Sequence, residues 1–269
     1  MKKHLLKHLK KLQTQEVKFL DKQQGRFFKE KVAPVISSVE DKIPSKVRET
    51  LDAAFYKGFV VVFEKGTQYI EKMFDKENIK LEHDVRNYAI DRSTTKKTLR
   101  SMDSISRKSK WINQSLSSLE GVGLGLLGIG IPDIPVFIGM ILKTLYEIAL
   151  SYGFDYANEE EQIYMLLLIA CAVAPEQQRA QYGSQADRLA TGIDRGNADE
   201  DSSQTLVLDR ESAMKAAAKM LSDAMLTAKF VQGLPIVGVV GGLANYTIIS
   251  KVSRLARIKY KQRYLSKKL

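Results

Sequence analysis

Cysteine is almost missing from this chain of 269 residues: Cys171 stands alone, so no intramolecular disulfide framework and no cysteine-based zinc site can form. Histidine is nearly as scarce. Only His4, His8 and His83 occur, too few for a histidine-rich metal centre or a Cys–His hydrolase. Proline appears six times and tryptophan once. No serine sits in a Gly-x-Ser-x-Gly elbow and no Gly-Lys-Ser/Thr follows the glycine-rich stretches, so neither a hydrolase nor a phosphate loop is supported. Strand-type alternation is rare as well, which leaves helical periodicity as the main signal.

Apolar residues at 44% and charged residues at 27% are ordinary globular values. The net charge of +11 is unevenly distributed. Lys2, Lys3, Lys7, Lys10 and Lys11 stand in the first dozen residues with no acid. Arg92–Lys110 holds seven cations against Asp103, and Lys251–Leu269 holds eight cations and no acid. These three segments carry +19, leaving the remainder of the chain at −8. Segregation of this kind points to a polyanionic partner: anionic lipid of a cytoplasmic leaflet or, alternatively, nucleic acid. The basic N-terminus does not read as a secretory signal, because lysines interrupt Leu5, Leu6, Leu9 and Leu12. Leu5, Leu9 and Leu12 share one helical face, as in a helix lying on a membrane or packing along its own domain. Residues 1–44 are accordingly read as a basic amphipathic arm.

Further along, Ser45 after Pro44 reads as an N-cap. Val47, Leu51, Phe55, Phe59, Val62, Ile70 and Phe74 then form an apolar stripe that Leu81, Val85 and Tyr88 continue. Asn158 followed by Glu159, Glu160 and Glu161 predicts a helix start that Pro175 later stops. Asp209 predicts another cap, and a last helix is expected from Asn245 to about Leu265. The polar stretch 177–204 reads as a surface loop within a domain spanning 45–269. Arg92–Lys110 fits a linker or a basic helix.

Two segments are long and apolar: Gly121–Leu142, whose single charge is Asp133, and Phe230–Ser250, which has none. Each is about the length of a bilayer span. Gly130, Pro132 and Pro135 break the first, and Pro235, Gly238, Gly241 and Gly242 break the second. Prolines inside a helix cost about 3 kcal/mol, so helix–turn–helix hairpins fit better than straight spans. Core hairpins, bilayer-dipping hairpins and two true spans all remain open at this level. The expected fold is all-α, a helical bundle with these hairpins at its centre.

The Gly130–Pro135 motif, then Ile148–Asp155 (Ile-Ala-Leu-Ser-Tyr-Gly-Phe-Asp), then Leu234–Gly238 with Gly241, Gly242 and Asn245 resemble the EcsC family of bacterial proteins over roughly Lys46 to Leu265. The resemblance implies a mostly helical cytoplasmic protein, sometimes encoded beside an ABC transporter, with no established biochemical activity.

The hairpin motif therefore comprises Gly130, Pro132, Asp133, Pro135, Gly153, Pro235, Gly238, Gly241, Gly242 and Asn245. Asp133 reads as a turn and capping residue or as a partly buried carboxylate. Glu147 reads as a rim charge paired with Lys143, and with Asp133 it is the one weak catalytic candidate for a hydrolase or lipid-modifying enzyme. Asn245 fits a cap of the basic terminal helix. Lys251, Arg254, Arg257, Lys259, Lys261 and Arg263 are the expected contacts to phosphate of anionic lipid, with Tyr260 and Tyr264 the only aromatics placed to serve a nucleic-acid partner. His4 and His8 have i, i+4 spacing without a third ligand, and His83 reads as exposed among acids. Neither a metal nor a cofactor is expected. The functional expectation is a peripheral accessory protein at the inner face of the cell membrane, with an anionic membrane surface and a membrane protein as partners.

Overall fold

The computed structural model describes residues 2–21, 43–107, 133–196, 208–231 and 242–269; within them every regular element is a helix. Helix α1 spans Lys2–Leu20, α2 Ser45–Val61, α3 Thr67–Glu71, α4 Lys76–Arg92 and α5 Lys96–Arg107. Then follow α6 (Asp133–Ser151), α7 (Glu159–Val173), α8 (Glu176–Arg195), α9 (Arg210–Val231) and α10 (Gly242–Lys267). A π-helical turn, Val62–Gly66, joins α2 to α3.

Two apolar helices form the centre. Helix α7 is buried from Ile163 to Val173 because α8, α9 and α10 all pack on it. Helix α6 is covered by α2, α4, α5 and α10. It is the one helix among the described residues long and apolar enough to cross a bilayer, and 78% of that window is enclosed by the other helices. The part of the first apolar segment that lies in α6 is thus core. Gly130, Pro132, Pro235, Gly238 and Gly241, and with them the turns of both expected hairpins, fall outside the described residues.

Local sequence explains several helix ends. The Asp75 carboxylate accepts from the Asn78 amide at 3.0 Å, and Asp209 caps α9 by accepting from the Ser212 amide at 2.6 Å. Helix α6 ends in a Schellman motif: the Phe154 amide donates to the Ala149 carbonyl and the Gly153 amide to the Leu150 carbonyl, both at 3.0 Å. Gly153 sits at φ +81°, in the left-handed region, and Phe154 is buried beyond it. A Cβ on Gly153 would also meet His83 Nε2 at 2.6 Å.

Several expectations need correction. The helix after Pro44 has Pro44, not Ser45, at its N-cap position, with no side-chain cap. Helix α10 starts at Gly242, so Asn245 lies inside it. Of the two readings of Arg92–Lys110, a linker or a basic helix, the second holds over Lys96–Arg107, which is helix α5. The stretch 177–204 is helical up to Arg195, and Gly196 in the left-handed region ends it. Its polarity hid a seam of small residues, Gly183, Ala186 and Ala190, that lets α8 pack on α7 without bulky side chains. On α4 the stripe is reversed: Leu81, Val85 and Tyr88 are exposed, and Ile90 faces the core.

Helix α1 is amphipathic as its leucines require. Leu5, Leu12 and Phe19 are buried against the bundle, where α1 packs on α10 and α8. Each such side chain contributes about 2 kcal/mol. At its end Arg179 donates to the Phe19 carbonyl at 3.3 Å and to the Ala174 carbonyl at 3.0 Å, tying α1 to the α7–α8 turn.

Candidate functional site

Helix α10 carries cations from Lys251 onward, and its apolar stripe decides what becomes of several of them. Ile248, Val252, Leu255 and Ala256 set an inward face whose i, i+3, i+4 rhythm continues through Lys259, Tyr260, Arg263 and Tyr264. The last four therefore point into the bundle. Arg263 is 6% exposed and forms a fork with Glu161, Nη1 to Oε1 at 2.7 Å and Nη2 to Oε2 at 3.0 Å. It also donates to Asp194 through Nε at 3.0 Å and Nη2 at 2.9 Å. Its guanidinium lies over the Phe154 and Tyr164 rings, 4.2 and 4.6 Å from their centroids. Tyr260 donates to the same Glu161 Oε1 at 2.7 Å. Glu161, at the third position of α7, spends its carboxylate here instead of on a capping box. Burial disfavours the charge of Arg263, but its hydrogen bonds to Asp194 and Glu161 outweigh it and hold the guanidinium protonated.

Lys259, 1% exposed, joins Glu16 of α1 and Asp187 of α8, the latter at 2.6 Å. Lys261 donates to the Leu99 carbonyl at 3.0 Å and to Asp103 at 2.5 Å. Burial opposes the ammonium of Lys259, yet Asp187 and Glu16 raise its pKa above the ordinary lysine value. Lys259, Lys261 and Arg263 are thus internal ion-pair members, not members of an exposed phosphate-binding stripe. The acids that neutralise them come from α1, α5, α7 and α8, far off in sequence. Tyr260 and Tyr264 are enclosed too, Tyr264 donating to Asn87 Oδ1 at 2.8 Å. Neither is available to stack on a base.

The other cations stay outside. Lys2, Lys3, Lys7, Lys10 and Lys11 on α1, Lys96, Lys97 and Arg100 on α5, and Lys251 and Arg254 on α10 are exposed, and Arg257 is half-buried. Their helices meet around a cleft of about 310 Å³ lined by Arg254, Arg257 and Lys261 of α10, Leu12 of α1, Asp103 of α5 and Tyr152 at the end of α6. Tyr152 donates to Asp103 at 3.3 Å. His8, one turn before Leu12, reports the local field: burial lowers its pKa, and Lys261, Lys11 and Arg100 lower it further against an opposing pull from Asp103. Sequence distance hid this convergence, since its three sources lie about ninety and one hundred and fifty residues apart.

The remaining candidates are mostly structural. Glu147 pairs with Lys143 at 2.8 Å, as the i, i+4 spacing predicts, and that lysine is 2% exposed. Asp133 begins α6, and its side chain lies outside the described atoms. Pro135 is buried in the first turn of α6, where its missing amide hydrogen costs nothing. His83 is not an exposed acidic-cluster residue. Its Nδ1 lies 3.1 Å from the Ser151 carbonyl, and its ring meets Tyr264 edge-on at 6.0 Å. Burial pushes the Cys171 thiol up to about 12, so it is no thiolate at neutral pH. Among the described residues no group of three His, Cys, Asp or Glu side chains could hold a metal ion.

No solved structure matches this chain. "Protein EcsC" of Bacillus subtilis (strain 168) is 25% identical over 226 residues, covering 83% of this chain and 81% of the relative. The model of the EcsC protein family matches residues 6–265. The match takes in α1 and the whole of 177–204, well beyond the start at Lys46 that the motifs suggested. With the Schellman stop at Tyr152–Gly153–Phe154 accounting for one of those motifs, the chain belongs to the EcsC protein family.

Proposed function

We propose that this chain is a peripheral accessory protein of the cytoplasmic face of the bacterial cell membrane, held to anionic lipid by its outward cations and working beside a membrane-protein partner. The observation that carries the reading is the sorting of charge. Lys259, Lys261 and Arg263 of α10 are consumed internally, while the lysines of α1, Lys96, Lys97 and Arg100 of α5 and Lys251 and Arg254 of α10 are exposed, with Arg254 and Arg257 bordering one cleft. Each outward Lys or Arg near an anionic surface contributes roughly 1 kcal/mol. Leu6 and Val17, 47% and 55% exposed on the lysine-bearing face of α1, supply the apolar contact that such a helix needs at an interface. The enclosure of α6 removes that segment from the inserting surface. A nucleic-acid reading has less to stand on, because Tyr260 and Tyr264 are enclosed.

Co-sedimentation with vesicles tests this. Phosphatidylglycerol–phosphatidylcholine vesicles should bind the protein at low salt and release it at high salt. Changing Lys7, Lys10 and Lys11 together to Gln should weaken binding by roughly a hundredfold at low salt. Equal binding to pure phosphatidylcholine vesicles would overturn the proposal.

A further inference from the structure

We infer that the outer face of α4 is where a second copy of this chain docks, its own α4 lying antiparallel across a two-fold axis. The pairing stands or falls independently of the membrane reading above.

Three apolar side chains mark the face. Leu81, Val85 and Tyr88 are 62%, 61% and 66% exposed, and their i, i+4, i+7 spacing sets them on one stripe. Ile90, half a helical revolution away from Leu81, is fully buried where α4 packs on α5 and α6. The helix is thus docked by its far side, and this stripe is left over. Single exposed apolar residues are ordinary, but three along one helix face mark an interaction surface.

The charges on the same face choose the occupant. Glu77 stands four residues before Leu81, and Arg92 stands four residues after Tyr88; both are exposed. Read in reverse, the order acid, Leu, Val, Tyr, base is complementary to itself. A second α4 running the other way sets each Leu81 against Tyr88 of the other copy and each Glu77 against Arg92 of the other copy. The two Val85 side chains meet beside the axis. Every contact is made twice, as an isologous interface requires. A parallel pair would instead oppose like charges. Glu77 already lies 3.6 Å from Lys80, but both are exposed, and such a pair is weak enough to be exchanged. Arg92 is in no ion pair among the described residues. Asp91 is held by Lys268 at 2.5 Å and plays no part. Asp84 flanks the stripe near the axis, where it approaches its own copy and works against the pair. Anionic lipid does not suit this face, because Glu77 and Asp84 border the stripe where an interfacial helix carries Lys or Arg. One helix pair buries less than the roughly 1,200 Å² of a standard interface, so the dimer is weak and concentration-dependent.

Sedimentation velocity of the full chain, from about one to several hundred micromolar, tests this. A monomer–dimer equilibrium is expected. Leu81→Glu with Tyr88→Glu should abolish it while circular dichroism shows an intact fold. Glu77→Arg and Arg92→Glu should each weaken the dimer about tenfold, and the two together should restore it. Asp84→Asn should tighten it. Val85→Cys should give a disulfide-linked dimer under mild oxidation, since two helices in contact bring residues at the axis within bridging distance. Cys171 is fully buried and stays silent, and Lys219→Cys, exposed on α9, should not cross-link. A monomer at every concentration overturns the pairing; vesicle binding that is then lost in the Leu81 and Tyr88 variant would give the face to lipid. A dimer that survives that variant lies elsewhere and overturns it too. A charge-reversed double variant as weak as the single ones would overturn the antiparallel register.

Discussion

The two halves of α10 carry the same kinds of residue and meet opposite fates. From Lys251 to Arg257 the cations lie outward or at the rim of a cleft; from Lys259 to Arg263 they are nearly sealed among acids and rings. Local composition does not separate the halves. Register does so for Lys259 and Arg263, which fall on the stripe that Val252 and Leu255 begin; Lys261 shares the face of Arg254 and Arg257 and is enclosed by Asp103 and the Leu99 carbonyl. Partners decide the rest: Glu16, Asp103, Glu161, Asp187 and Asp194 arrive from four other helices. A run of like charge is therefore a pool from which the fold draws its internal pairs before a surface is left over.

The sharpest way to break this comparison is to remove Arg263. Arg263→Ala leaves Glu161, 3% exposed, as a buried charge with Tyr260 alone, and should destabilise the fold by about 3–5 kcal/mol in urea unfolding. Arg263→Lys should recover only part, since one ammonium cannot serve both Glu161 and Asp194. The loss depends on pH with a definite sign. Burial tends to raise the carboxyl of Asp194, but the hydrogen bond from Arg263 outweighs it and holds the group below its ordinary value. That stability is complete above the unfolded carboxyl pKa of about 4 and is lost as pH falls through the folded value. The gap between wild type and Arg263→Ala should narrow below about pH 4.

Lys259→Met should cost less, about 1–2 kcal/mol by the same assay. Its partners are better placed to survive alone. Asp187 is 56% exposed and can be hydrated, and Glu16 keeps the Gln262 amide at 2.7 Å. A loss as large as that of Arg263→Ala would mean that α1 undocks when its ion pair goes. Gly153→Ala should also cost about 1–2 kcal/mol, through the left-handed backbone and the contact with His83. Pairing it with His83→Ala should recover only the steric share.

Much of this fold was legible in the chain. Asp209 caps where its spacing says, Pro175 divides α7 from α8, and Leu5 and Leu12 of α1 face the core. Helix α8 was hidden because its contact face is built of Gly183, Ala186 and Ala190, which carry little hydrophobic signal yet permit close approach. Of the site, the outward lysines and Arg254 could be read directly. That Lys259 and Arg263 are internal was also encoded, in the continuation of the Val252–Ala256 stripe, but charge masks an apolar period. The cleft itself had no linear signal, since it exists only where α1, α5 and α10 meet.

The outward half supplies the smallest effect on stability and the largest on function. Lys251→Gln with Arg254→Gln changes two exposed surface cations, and exposed charges contribute little to stability, so unfolding should change by no more than about 0.5 kcal/mol. Binding to phosphatidylglycerol vesicles should nevertheless fall by roughly tenfold at low salt, because the attraction of a surface charge to a lipid layer does not need a folded partner. The pair of results separates the halves of one helix by experiment: a change at residue 263 breaks the fold, whereas changes at 251 and 254 leave it whole and loosen its hold on anions. A stability loss for the outer variant comparable to that of Arg263→Ala would show that register does not sort the cations of α10, and the division between its halves would fall.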